Sequence, residues 1–248
     1  MISLNNISVT FNKGTPLQNR VFHQLNLKIN SGEFVTVIGG NGAGKSALMN
    51  LLSGETPVDE GSIILDNTNV TNWVVYERSQ LISRVFQDPL LGSYAELTIE
   101  ENLSLAYSRG KRRSLKIALN NNLRAHFKER LCDIGIGLEN RFTDKIGLLS
   151  GGQRQAVSLI MATLQPSKIL LLDEHTAALD PKMEQLILEL TQRLIDEKQL
   201  TALMITHCMS QALEFGSRTL VMHQGKIVRD LNNQERQSLQ ASDLMGFF

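Results

Sequence analysis

"EFVTVIGGNGAGKSALMNLLSG", residues 33–54, decides the fold. It begins as a short apolar, β-branched run that ends in glycine, the pattern of a buried strand. It ends as "KSALMNLLSG", a helix stopped by Gly54. The connection, Gly39, Gly40, Asn41, Gly42, Ala43, Gly44, Lys45 and Ser46, matches G-x-x-x-x-G-K-[ST]. Glycines there let successive backbone N–H groups turn inward around phosphate oxygens, and the helix N-terminus adds a favourable dipole. Lys45 is expected to reach the β- and γ-phosphates of a nucleotide, and the Ser46 hydroxyl to ligate Mg²⁺. A glycine-rich turn before an ordinary helix is the plainer alternative, but it does not require a lysine and a serine at these positions.

A phosphate site of this kind needs an acid for its metal, and "KILLLDE" (residues 168–174) supplies one. Asp173, at the end of an apolar strand, is expected to hold Mg²⁺ through water. Glu174 follows at once and is placed to polarise an attacking water. A helix cap or loop acid is the bland reading of Asp173 alone.

A second phosphate-binding pattern stands far from the first. In "GLLSGGQRQAVSL" (residues 147–159), Ser150 has the position of a helix N-cap, and Gly151 and Gly152 occupy the first turn. Glycines lower helix propensity there, and close backbone approach to a ligand is the expected reason for them.

Around these motifs the chain alternates strands and helices. "ISLNNISVTF" and "VFHQLNLKIN" alternate like strands with one buried face, and "GSIILD" reads as another strand. "TIEENLSLAYSRG" and "LKIALNNNLRAHFKERLCDIG" read as helices, the second with Leu119, Leu123, Phe127 and Leu131 on one face. "PKMEQLILELTQRLIDEK" is an amphipathic helix with Pro181 in its first turn. "TALMITH" is a strand, and "RTLVMHQGKIVRDL" a hairpin turning near Gln224-Gly225. The expected fold class is α/β: a P-loop NTPase core with a mainly parallel sheet, an N-terminal antiparallel β-subdomain and a helical insert. The expected organisation is one domain over residues 1–248, with 1–87 and 163–230 forming the nucleotide-binding core and β-subdomain, 88–162 the helical subdomain and 231–248 a C-terminal tail.

Composition bounds the function. With 25 Lys+Arg against 25 Asp+Glu in 248 residues the formal charge is zero, which argues against a nucleic-acid binder. The apolar runs fall short of a membrane span, and "MISLNNISVTFNKG" shows no signal-peptide pattern. Cys132 and Cys208 fit no metal spacing or disulfide framework, so a reducing cytoplasm is the expected compartment.

Together the motifs resemble an ATP-binding cassette ATPase, over about residues 2–230. "LSGGQRQA" (149–156) resembles the family signature, "VFQDP" puts Gln87 in the Q-loop, "LLLDEHTAALDP" resembles the Walker B strand and D-loop with Asp180, and "MITH" puts His207 at the switch histidine. The resemblance implies a homodimer sharing two ATPs, in which Ser150 and the backbone N–H groups of Gly151 and Gly152 of one subunit meet the γ-phosphate held by the P-loop of the other, with Gln153 and Asp180 also among the nucleotide-binding residues. It also implies Gln87 touching Mg²⁺ or the attacking water, and His207 hydrogen-bonding the γ-phosphate. Phe11 falls where an aromatic stacks on adenine; a core phenylalanine on an alternating strand is the equal alternative. Ala47 replaces the usual threonine, His175 a common proline and Cys208 a common aspartate.

By the same resemblance the chain works with separate transmembrane permease subunits, and indirectly with a solute-binding protein, at the inner face of a bacterial membrane. "TIEENLSLAYSRG" and "DEHTAALDP" look most like a small importer subgroup, some of whose members are linked to tryptophan and tyrosine. Export or lipid transport, and a cassette ATPase acting on nucleic acid or ribosomes, are the alternatives. An unrelated P-loop kinase or GTPase would need an acceptor site or an N-K-x-D motif, and neither is present. The basic run "RGKRRSLK" (109–116) reads as a solvated helix start, with anionic headgroups or the permease as alternatives.

Overall fold

In a computed structural model the described residues are 1–111 and 119–247. Two sheets organise them. The first is antiparallel, in the order β2-β1-β4-β5, from β1 (Ile2–Phe11), β2 (Asn19–Ile29), β4 (Glu60–Leu65) and β5 (Thr68–Asn69). The second has the order β10-β9-β3-β8-β7-β6, with β3 at Phe34–Gly39, β6 at Ile82–Val85, β7 at Ile169–Asp173, β8 at Thr201–Ile205, β9 at Arg218–His223 and β10 at Lys226–Leu231. Strands β9, β3, β8, β7 and β6 pair in parallel, and β10 returns antiparallel along β9. That hairpin turns at Gln224 (φ 48°) and Gly225 (φ 74°), as its sequence predicts.

The apolar strands are sandwiched, which is why they read as continuous hydrophobic runs rather than alternating ones. Along β7, Leu170 and Leu172 face one core and Ile169 and Leu171 the other, all fully buried. On one side lie α1 (Lys45–Ser53) and the antiparallel sheet, whose core includes Ile2, Leu4 and Ile63. On the other lie α3 (Ile99–Tyr107), α4 (Asn121–Cys132), α5 (Gly151–Leu164) and α6 (Pro181–Lys198). The predicted face of α4 is real: Phe127 and Leu131 are fully buried, with Leu123 and the preceding Leu119 packed against the same core. The remaining helices, α2 (Val75–Arg78), α7 (Met209–Glu214), α8 (Asn233–Gln237) and α9 (Ala241–Met245), are short.

Between β6 and β7 the described elements are all helical, in the region expected to be the insert. The structure departs from the sequence reading at the basic run. Arg109 does not point to solvent: its guanidinium donates to the Ala162 and Gln165 carbonyls at 3.4 and 3.2 Å, satisfying the open end of α5. Lys111 lies over the Tyr107 ring at 3.4 Å. Residues 112–116 lie outside the described residues.

Candidate functional site

The parallel sheet collects the chemistry because it aligns strand ends. The register pairs Val37 of β3 with Ile205 of β8, Ile205 with Asp173 of β7, and Leu172 with Val85 of β6. Neighbouring strands stand about 4.8 Å apart, so the segments leaving these carboxyl ends run side by side: the glycine loop after β3, Thr206-His207 after β8, Glu174 after β7 and Phe86-Gln87 after β6.

The loop makes its own anion site. Gly44, the N-cap of α1, has φ 101° and no side chain caps the helix, so the first-turn N–H groups remain open to an outside acceptor. Any β-carbon at Gly44 would be strained by that φ and would stand 3.1 Å from the Phe22 ring. The Lys45 ammonium is buried and donates to the carbonyls of Gly39 and Gly40 at 2.7 and 3.1 Å. Burial pulls its pKa below the ordinary lysine range, and the Glu174 and Asp173 carboxylates act in the opposite direction. Both acids therefore lie within electrostatic reach of the loop lysine.

A cleft of about 300 Å³ is lined by Asn19, Val21, loop residues 41–47, Glu174 and His207. Within it Ser46 is exposed and Ala47 half-buried, its methyl group packed against the core. His207 Nε2 and Glu174 Oε1 are 2.6 Å apart. Glu174 has φ 46°, a conformation costing a non-glycine residue about 1–3 kcal/mol and concentrated at functional sites. The turn carrying His207 is braced behind: Thr206 Oγ1 donates to Gln211 Oε1 at 2.8 Å, and Gln211 Nε2 to Glu184 Oε1 at 2.7 Å. His175 lies buried beneath, 3.1 Å from Thr191 Oγ1, and burial lowers its pKa to about 4, so it is a neutral packing residue.

The other predicted residues do not line this cleft. Gln87 is exposed on the loop beyond β6, and Phe11 is half-buried at the end of β1, packed on the core and paired across the sheet with Asn19 of the cleft. Asp173 ends β7 with its Oδ2 accepting from Arg84 at 2.6 Å. Asp180 caps α6, accepting from the Met183 N–H at 3.2 Å. Ser150 caps α5 and forms a reciprocal capping box with Gln153, whose Oε1 also accepts from Arg141 at 3.0 Å.

The paired glycines divide. A β-carbon on Gly152 would stand 2.8 Å from the Met183 side chain, so its smallness serves packing between α5 and α6. Of the two, only Gly151 faces open space. Arg84, Gln211, Glu184 and Asn19 are site-forming residues that the sequence reading missed. Their partners are brought near only by the fold, and the one local signal was a lone arginine inside the apolar run "LISRVF".

The oxygen donors suit Mg²⁺. Among the described residues no three His, Cys, Asp or Glu side chains cluster to hold a metal. A hydroxyl such as Ser46 and one carboxylate, completed by phosphate and water, are what Mg²⁺ accepts in place of an all-protein cage. Among the described residues, too, no helix is long and apolar enough to cross a membrane.

Residues 22–177 match the family model described as "ABC transporter". The chain is 42% identical over 248 residues to the tyrosine transport ATP-binding protein of Clostridioides difficile, covering 100% of this chain and 98% of that one. It is 36% identical over 228 residues to the thiamine import ATP-binding protein ThiQ of Haemophilus influenzae, covering 92% and 97%. Among solved structures, the dimeric post-hydrolysis state of the ATP-binding cassette MJ0796, bound to ADP and Pi, superposes with a TM-score of 0.81 at 28% identity over 94% of this chain and 99% of that one. With its phosphate loop, strand-end acids and full-length relatives, the chain belongs to the ABC transporter family, as an ATP-binding and ATP-hydrolysing subunit.

Proposed function

We propose that the chain drives an importer for an aromatic amino acid, tyrosine being the first candidate. The C. difficile relative named for tyrosine transport aligns with the whole of this chain, and the sequence features of residues 98–110 and 173–181 point to the same subgroup. The observation that carries the catalytic reading is the cleft where the glycine loop, Glu174 and His207 meet.

In this reading the open N–H groups of α1 and Lys45 hold the phosphates, and phosphate oxygens replace the carbonyls of Gly39 and Gly40 as partners of the ammonium. Ser46, Asp173 and Gln87 would hold Mg²⁺, which when bound would neutralise phosphate charge. Glu174 accepts the proton of the attacking water. Its contact with His207 occupies one carboxylate oxygen, which is freed when His207 turns to the γ-phosphate. Asn19 and Phe11 border the adenine side.

Two copies pair head to tail, Ser150, Gly151 and Gly152 of one facing the nucleotide of the other, with Asp180 at the seam; dimeric cassettes among the solved relatives support this. A groove lined by Phe86, Tyr94, Asn102, Leu105 and Met161 receives the permease, with Tyr94 (66%) and Leu91 (71%) both exposed. The subunit then lies at the inner face of the membrane, and any solute-binding protein acts through the permease.

Phosphate release from MgATP tests the catalytic part. Glu174→Gln keeps the size and removes the base, so turnover should fall by about 10²- to 10⁴-fold. Hydrolysis at the parent rate overturns the role of Glu174. Cells lacking the chain should lose tyrosine uptake, and unchanged uptake would remove the substrate assignment.

A further inference from the structure

Arg84, in the middle of β6, has a side chain only 11% exposed. Its guanidinium holds three elements. One nitrogen donates to Asp173 Oδ2 at 2.6 Å, and another to Asn50 Oδ1 and Glu55 Oε1, both at 2.9 Å. The group also lies 4.8 Å above the Phe86 ring. Asn50 is on α1, one turn beyond Ser46, and Glu55 is in the turn that follows that helix. A single planar fork therefore ties the helix bearing the candidate hydroxyl ligand to the strand bearing the candidate carboxylate ligand. The fork is set for these partners at a cost, because its buried Nε–H has no acceptor.

Two effects of Arg84 on a cation at Asp173 oppose each other. Its positive charge repels the cation, while its hydrogen bonds fix the carboxylate plane and the spacing between Asp173 and α1. Glu55 and Asp173 together offset the charge, which leaves the geometric effect dominant. We propose that Arg84 is a positioning residue: it sets Asp173 and the Ser46 helix at the separation that a nucleotide-bound divalent cation requires. Partners that orient a ligating carboxylate contribute about 10- to 100-fold to metal affinity. Lysine cannot replace this, since an ammonium lacks the rigid fork that reaches Asp173 and Asn50 together.

The inference rests on Asp173 being a metal-holding group, and the test separates the two. Mn²⁺ is titrated into the protein with a non-hydrolysable ATP analogue, and free Mn²⁺ is read by its electron paramagnetic resonance. Arg84→Met should weaken Mn²⁺ binding about 10- to 100-fold while metal-free nucleotide affinity, measured in chelator, stays at the parent value. Arg84→Lys should fall between the two, and decides the matter if Arg84→Met does not fold. Unchanged or tighter Mn²⁺ binding in the folded variant overturns the inference. Asp173→Asn should weaken Mn²⁺ binding too, and adding Arg84→Met to it should cost clearly less than Arg84→Met costs alone. If Asp173→Asn leaves Mn²⁺ affinity intact, the metal reading itself fails. If it weakens binding and Arg84→Met adds its full effect on top, Arg84 does not act through Asp173.

Discussion

The N-termini of α1 and α5 are built from the same materials and finished differently. Both follow a glycine or serine turn, and neither has an acidic residue in its first turn. At α1 no side chain caps the helix, the N-cap Gly44 is left-handed, and the cleft that closes around it brings Glu174 and His207 from other strands. At α5 the chain caps its own helix: Ser150 accepts from Gln153, and Gln153 answers. What remains there are the N–H groups of Gly151 and Gly152, which helix geometry leaves without an internal acceptor. In the proposed reading one terminus is a whole anion site, and the other is half of one. That difference is the physical basis for proposing that the second half is supplied by another copy.

Removing the charge from the complete site should have the largest effect. Lys45→Ala loses charge-assisted bonds worth about 1.5–3 kcal/mol each, so MgATP affinity should fall at least 10-fold with turnover lost. Equilibrium binding and phosphate release check this, and parent-like values would mean the loop holds nucleotide without its lysine.

The glycines of the half site should separate next. Gly152→Ala forces a methyl group against Met183 and should destabilise the fold by about 1 kcal/mol, the low end for overpacking because a methionine can yield. Gly151→Ala meets nothing and should stabilise by about 0.5 kcal/mol through the unfolded chain. Urea unfolding distinguishes them; equal effects would undo the division of roles drawn between the two glycines.

The smallest effect is expected at Ala47, half-buried at the cleft edge. Ala47→Thr adds a hydroxyl near the first helical turn and should leave nucleotide affinity equal or slightly tighter. A titration showing marked weakening would mean that the core packing around this methyl group excludes the larger side chain.

The same contrast explains what the sequence could convey. The phosphate loop is legible because its physics is local: a strand, a turn needing positive φ and a helix follow one another within residues 34–53. The cap at Ser150 is legible for the same reason. Strand β6 was missed because it is four residues long, carries an arginine at its centre and owes its existence to pairing with β7. Arg84 finds Asp173 at a separation of 89 residues, and no window along the chain contains both. The packing of Gly152 was hidden for a related reason. Its neighbour Met183 belongs to another helix, so no window along the chain shows that constraint. Asp180 and Gln153, named for the site, also have side chains that cap helices.

The central claim, that α5 completes a site begun by α1 of a second copy, has a direct test. Sedimentation velocity is measured on the Glu174→Gln protein, which is expected to retain ATP, with saturating MgATP and separately with ADP. The account predicts a dimer with MgATP and a monomer with ADP. It further predicts that adding Ser150→Arg, which places a bulky side chain at the α5 terminus, returns the MgATP-bound protein to monomer without loss of nucleotide. A Glu174→Gln protein that stays monomeric while saturated with MgATP, or a dimer that survives Ser150→Arg, would contradict it.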